Sequence, residues 1–183
     1  MNKIEHFYQN IGENWFDYPD FYSKIVNYFP DGSHFVEVGS WKGRSASYMA
    51  VEIHNLNKKI KFDCVDTWNG SVEHVREGFD LNNLYNEFLN NIKPVSHIIN
   101  PIRMTSLEAS KLYADKSLDF VFIDASHEYE DVKNDIIHWF PKVKVGGVLG
   151  GHDRGWQGVA KAVSELLPNA YPISLGCWAI DIV

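Results

Sequence analysis

Two short stretches of this 183-residue chain carry side chains able to hold a cation or move a proton. FIDASHEYEDV contains Asp124 and His127, and GGHDRG contains His152 and Asp153. Each stretch follows an apolar run that reads as a strand, so all four side chains are expected at strand ends, where open α/β sheets bind ligands. Carboxylates and imidazoles are donors for divalent ions. An unperturbed imidazole, with a pKa near about 6.5, also accepts a proton at neutral pH. Singly, each has a plain structural use: Asp124 as a satisfied strand-end carboxylate, His127 at a helix start, His152 and Asp153 in a loop. Together they point to one crevice.

A second constellation lies in HFVEVGSWKGRSASYMA, a strand that runs through Glu37, Gly39, Ser40, Gly43 and Ser45 into a helix. Gly39 allows a sharp turn at the strand's carboxyl end, and Gly43 allows the backbone to approach a ligand. A dinucleotide site requires G-x-G-x-x-G, and Trp41 occupies its second glycine position, which argues against a nicotinamide-dependent oxidoreductase. The spacing is instead E-x-G-x-x-x-G-x-S. In FDCVDTW, Asp66 falls at the next strand end, where an acid accepts hydrogen bonds from ribose hydroxyls or caps a turn. Thr105 and Ser106 in INPIRMTSLEAS either cap the following helix or reach an adenine.

Positioning these groups calls for alternating strands and helices, hence an α/β, Rossmann-like, doubly wound and mostly parallel sheet. Strands are expected at His34 to Val38, Lys61 to Val65, His97 to Ile99, Asp119 to Ile123 and Gly147 to Leu149. Helices are expected at Ser45 to Leu56, Leu81 to Ile92, Ser106 to Tyr113, Tyr129 to Phe140 and Gln157 to Leu167. Val132, Ile136, Trp139 and Phe140 recur at helical spacing, with acids at the helix start. Ile173 to Ile182 has no helix after it and is expected to finish the sheet as a terminal antiparallel strand. Residues 1–30, rich in aromatics, read as a helical cap on the sheet or as a lid over a pocket, ahead of a core at 31–183. One domain, 1–183, is expected.

A net charge of -7 gives no basic stripe for following a phosphate backbone, so nucleic acid is not an expected partner. No apolar run reaches the roughly 20 residues that cross a bilayer, and MNKIEHFYQNIGENW is too polar for a signal peptide, so no membrane and a cytoplasmic location are expected. Cys64 and Cys177 read as reduced, packed thiols. The aromatic N-terminal run is compatible with a homodimer interface or only a cap.

The runs FVEVGSWKGRSA, VDTW, FIDASHEYEDV and VGGVLGGHD, followed by GVAKAV, resemble class I S-adenosylmethionine-dependent methyltransferases, in particular the small macrocin-type sugar and catechol O-methyltransferases. The resemblance spans His34 to Ala162. It implies that Glu37, Gly39, Ser40, Gly43 and Ser45 surround the methionine part of S-adenosylmethionine, that Asp66 holds its ribose, and that Thr105 and Ser106 lie near its adenine. It further implies that Asp124, shared between cofactor and catalysis, joins His152 and Asp153 around Mg2+ or another divalent ion, and that His127 takes the hydroxyl proton. The chain departs from the catechol pattern by placing His152 where that pattern has an acid and Asp153 where it has an amide. Magnesium prefers an oxygen shell, so this puts the identity of the ion, and the need for one, in question. The implied acceptor is a small-molecule or sugar hydroxyl, with Trp68, His74 and Arg76 in the connection 68–93 as candidate contacts. The alternative is a non-catalytic module that binds S-adenosylmethionine.

Overall fold

The computed structural model describes residues 2–174 and 176–183, apart from the side chain of Val72. Leu175, inside the segment expected to close the sheet, and Met1 lie outside the described residues. Seven strands form one sheet, β1 (His34–Val38), β2 (Lys61–Asp66), β3 (Ile99–Arg103), β4 (Leu118–Ile123), β5 (Val143–Gly151), β6 (Tyr171–Pro172) and β7 (Trp178–Asp181), in the spatial order β3-β2-β1-β4-β5-β7-β6. β1 to β5 pair in parallel, and β7 runs antiparallel to both of its neighbours. The chain winds outward from β1 through β2 to β3 and then resumes on the other side at β4. The switch point therefore lies between β1 and β4, where such sheets open a crevice.

Register sets the site. Val38 pairs with both Val65 and Ile123, and Ile123 pairs with Gly151. The next residues on these four strands, or the last residue on β2, are Gly39, Asp66, Asp124 and His152. They emerge side by side along one edge.

Period-two alternation splits the core between the two faces. Phe35, Phe120 and Phe122 point to an aromatic layer with α1 (Pro19–Tyr28), α2 (Arg44–Asn55) and α4 (Leu84–Asn91). Val36, Val38, Val121 and Ile123 point to a β-branched layer with α5 (Ser106–Ser110), α6 (Tyr129–Trp139) and α7 (Gln157–Leu166). Pro19 sits in the first turn of α1, where its missing N–H costs nothing, and α1 buries Phe21, Tyr22, Ile25 and Val26.

Several expectations need correction. β3 starts at Ile99 rather than His97 and includes Pro101, which an edge strand tolerates because one flank needs no ladder hydrogen bond. The terminal antiparallel strand is present but shorter than expected, as β7 alone, and it pairs with the two-residue β6 that lies just ahead of the expected segment. Phe140 is the C-cap of α6, still with helical dihedrals, and opens a 3-10 turn with Pro141, whose missing N–H ends the α-helical ladder. A short helix, α3 (Val72–Arg76), stands in the connection after β2. Both cysteines are free and buried. No described helix is long and apolar enough to cross a membrane.

Candidate active site

The turn after β1 is held by backbone geometry. Gly39 has φ +90°, and a Cβ there would lie 1.9 Å from the Asp124 carbonyl oxygen, so no larger residue fits. Gly43 has φ +86° and caps α2, but a Cβ there would meet Ile92 and Phe88 at 2.9 and 3.0 Å. Close packing of the turn against α4 therefore requires glycine here.

Asp66 staples this turn to the one after β2. Its Oδ2 accepts hydrogen bonds from the N–H groups of Ser40 (3.0 Å) and Trp41 (2.9 Å), and its Oδ1 accepts one from Trp68 (2.7 Å). Trp41 and Trp68 have φ +46° and +51°, a costly conformation for a bulky residue that the shared carboxylate sustains. Burial raises the Asp66 pKa against the lowering effect of those three donors. A carboxylate has about four acceptor directions, so one remains for a ligand hydroxyl.

Glu37 is buried on β1 and accepts a hydrogen bond from the Tyr22 hydroxyl at 2.8 Å. Burial pushes its pKa up to about 7, with the Tyr22 bond opposing. Glu37 Oε1 and Ser40 Oγ are buried without a hydrogen-bond partner among the described residues.

Above the switch point lies a cavity of about 480 Å³. Gly39, Ser40, Trp41, Ser45, Asp124, His127, His152 and Asp153 line it from the strand ends; Glu73, His74 and Glu77 line it from α3 and its end. Residues Glu13 to Tyr18 close it from the N-terminal side, and Trp156 from the start of α7. Six carboxylates face it against Arg44 and three histidines. The N-terminal aromatics thus act both as a cap, through α1, and as a wall of the cavity.

The four strand-end groups form one chain of contacts. His127 Nε2 is 2.8 Å from Asp153 Oδ2 and its Nδ1 is 2.9 Å from Glu73 Oε2, while its ring stacks on Trp156 with centroids 4.4 Å apart. Burial pulls the His127 pKa down, but the two carboxylates prevail and raise it. The unperturbed imidazole expected from sequence is thereby corrected: with an acceptor at both nitrogens, the cation is favoured. His152 Nδ1 lies 3.3 Å from Asp153 Oδ1 and 3.7 Å from Asp124 Oδ1, and its Nε2 lies 3.1 Å from Asp17. Burial opposes its charge, yet the surrounding carboxylates lift its pKa to about 9. Burial brings Asp124 to about 6, whereas Asp153 is held well below the carboxylate range by both histidines despite burial.

Asp124, His152 and Asp153 bring one donor atom each within 4.8 Å of one another. Two carboxylates and an imidazole fit a divalent transition ion better than magnesium. Asp17, His152 and Cys177 form a second such group, invisible to sequence spacing because its members come from opposite ends of the chain.

Other expected contacts fall elsewhere. Thr105 caps α5 in a reciprocal capping box with Glu108. Ser106 donates to Asp135 and accepts from Trp139 Nε1 at 2.8 Å. Neither lines the cavity, and Asp66 lies just behind its wall. Trp68 is buried in the core, donating from Nε1 to the Trp41 carbonyl, and Arg76 is exposed. His74 lines the cavity, stacked on Trp41 with ring centroids 3.9 Å apart. Sequence reasoning passed over Glu13, Asp17, Glu73 and Trp156, which no spacing rule connects to the strand ends, and took Tyr18 only as one of the aromatics of the N-terminal cap or lid.

A sheet ordered β3-β2-β1-β4-β5-β7-β6 with β7 reversed, and a ligand cavity at its switch point, define the class I methyltransferase architecture. The chain belongs to that family: residues 36–154 match a methyltransferase domain, and the family uses S-adenosylmethionine. It is 34% identical to an uncharacterized protein, y4gI, of Sinorhizobium fredii over 118 residues, which are 64% of this chain and 13% of that one. The chain thus spans about an eighth of that relative's length. Among solved structures it is similar to the O-methyltransferase NovP (TM-score 0.69, 15% identity, 90% of this chain and 79% of that one). It is likewise similar to an S-adenosylhomocysteine-bound methyltransferase of Podospora anserina, PaMTH1 (0.65, 13%, 90% and 77%). A third is CalS11, a TDP-rhamnose 3'-O-methyltransferase of calicheamicin biosynthesis (0.61, 14%, 89% and 76%).

Proposed function

We propose that this methyltransferase methylates a hydroxyl of a small molecule or sugar, with a divalent ion held by Asp124, His152 and Asp153. The observation that carries this reading is the acidic cavity into which Gly39, Ser40, Asp124, His127, His152 and Asp153 converge. S-adenosylmethionine, when bound, supplies a methyl group already activated on a sulfonium. The cavity's excess of carboxylates favours such a cation over an anionic dinucleotide. Ser40 Oγ, buried at the cavity wall without a partner, suits a ligand that brings a polar group of its own.

The protein's task is then orientation, which contributes several kcal/mol when the reacting atoms are held in line. Once His127 is neutral and its Nε2 is freed from Asp153 Oδ2, that nitrogen would accept the acceptor's hydroxyl proton, while Glu73 at Nδ1 keeps the ring in place. An ion at Asp124, His152 and Asp153 would lower the hydroxyl's pKa as a Lewis acid. The sugar reading draws on the neighbour that methylates a rhamnose and on the tryptophans at the cavity wall, Trp15 and Trp156, which are 48% and 52% exposed.

Calorimetric titration with S-adenosylmethionine and S-adenosylhomocysteine, beside a nicotinamide dinucleotide, tests the cofactor. Micromolar binding of the sulfur ligands alone is expected, and an acceptor screen with methyl-labelled cofactor then reads the product. Binding without transfer to any hydroxyl compound, sugars included, would favour a binding module.

A further inference from the structure

Each of the three candidate ligands turns one donor atom inward and has its other donor atom held from outside. Asp124 Oδ1, Asp153 Oδ1 and His152 Nδ1 converge, with His152 Nδ1 at 3.7 and 3.3 Å from the two oxygens. On the outer side, Asp124 Oδ2 accepts the Tyr18 hydroxyl at 2.7 Å, Asp153 Oδ2 faces His127 Nε2 at 2.8 Å, and His152 Nε2 faces Asp17 Oδ1 at 3.1 Å. Two of these three outer partners are consecutive residues of the N-terminal segment, outside every motif that marks the family.

We propose that Asp17 and Tyr18 are the positioning residues of the metal site, Asp17 keeping the proton of His152 on Nε2 so that Nδ1 faces the ion, and Tyr18 aiming Asp124 Oδ1 at it. The inference rests on the metal reading above. A histidine that binds a metal through one nitrogen commonly donates from the other to a carboxylate, which fixes its tautomer and orientation. Tyr18 is held rigidly for its part: its ring is buried, packs edge-on against Phe16 with centroids 4.6 Å apart, and lies 4.8 Å from that of Phe122. It also precedes Pro19, which starts α1. Asp17, with its side chain 58% exposed, contributes little to the core.

The test is a Co2+ titration of the full chain, followed by calorimetry and visible absorption, on the wild type, Asp17→Asn, Tyr18→Phe and Asp153→Asn. The wild type is expected to bind without a thiolate charge-transfer band. Asp17→Asn should weaken binding about 10- to 100-fold, with Tyr18→Phe nearer the lower figure, and Asp17→Glu should restore part of the loss. Thermal melts of the metal-free variants should match the wild type, separating positioning from folding. Wild-type affinity in both variants overturns the inference while leaving the metal reading intact, provided Asp153→Asn still weakens binding. A thiolate band would place the ion at Asp17, His152 and Cys177, making Asp17 a ligand and overturning the positioning role. No Co2+ binding by the wild type, in protein that still binds S-adenosylhomocysteine, overturns the metal reading and the inference together.

Discussion

The turn from Gly39 to Gly43 and the cluster of Asp124, His127, His152 and Asp153 face the same cavity but are held by different means. In the turn and the one after β2 that Asp66 staples to it, backbone N–H groups converge on Asp66, a tryptophan in each sits at positive φ, and both glycines fill spaces closed to a side chain. The cluster's side chains are joined to one another by contacts of imidazole or hydroxyl with carboxylate, and two of its partners arrive from residues 17 and 18. One region is built for shape and the other for charge. Substitutions in the first should damage the fold together with binding, whereas substitutions in the second should spare the fold and damage reactivity.

The sharpest way to break that contrast is Gly39→Ala. A methyl group 1.9 Å from the Asp124 carbonyl, at a φ of +90°, should cost about 3 kcal/mol or more and leave little folded protein in a denaturant melt. A variant with near-native stability would show that the turn yields more readily than its packing indicates. In the cluster, His127→Ala should lower kcat about 100- to 10,000-fold with both substrates saturating, while the melting temperature shifts little. Normal turnover would remove His127 from the proton-transfer role.

Glu37 joins the two regions, and its charge makes an intermediate prediction. Its folded pKa of about 7 lies above the ordinary value of 4.5, so the unfolded chain ionises first and releases its proton on unfolding. This group's contribution to stability is therefore complete below about pH 4.5, declines as pH rises through about 7, and leaves a standing penalty above it. Glu37→Gln should stabilise the protein by about 1–3 kcal/mol at pH 8 and by little at pH 5, while weakening S-adenosylmethionine binding. Paired melts at the two pH values check the sign. The smallest effect is expected at Thr105→Ala, where losing the α5 cap should cost about 1 kcal/mol with cofactor affinity unchanged. A fall in affinity instead would bring the adenine against this residue.

Much of the fold was legible because its signals are local. The glycine spacing after β1, the acid ending β2 and the apolar runs of β4 and β5 each show in a few consecutive residues, and parallel pairing then aligns the strand ends. Legibility failed where a local rule met a tertiary exception. The strand expected at His97 to Ile99 instead runs from Ile99 through Pro101 to Arg103, because an edge strand tolerates a proline that a central one would not. That Gly43 is also required by packing against Phe88 and Ile92, far along the chain, has no local signal.

The sequence alone determined the architecture, the family and the row of polar groups at the strand ends, because hydrophobic period and turn chemistry are properties of neighbouring residues. Only the tertiary structure decided the charge states and the company those groups keep. Placing Glu73 and Asp153 on either side of His127, and Asp17 and Tyr18 against His152 and Asp124, depends on through-space electrostatics and burial between segments as much as 135 residues apart.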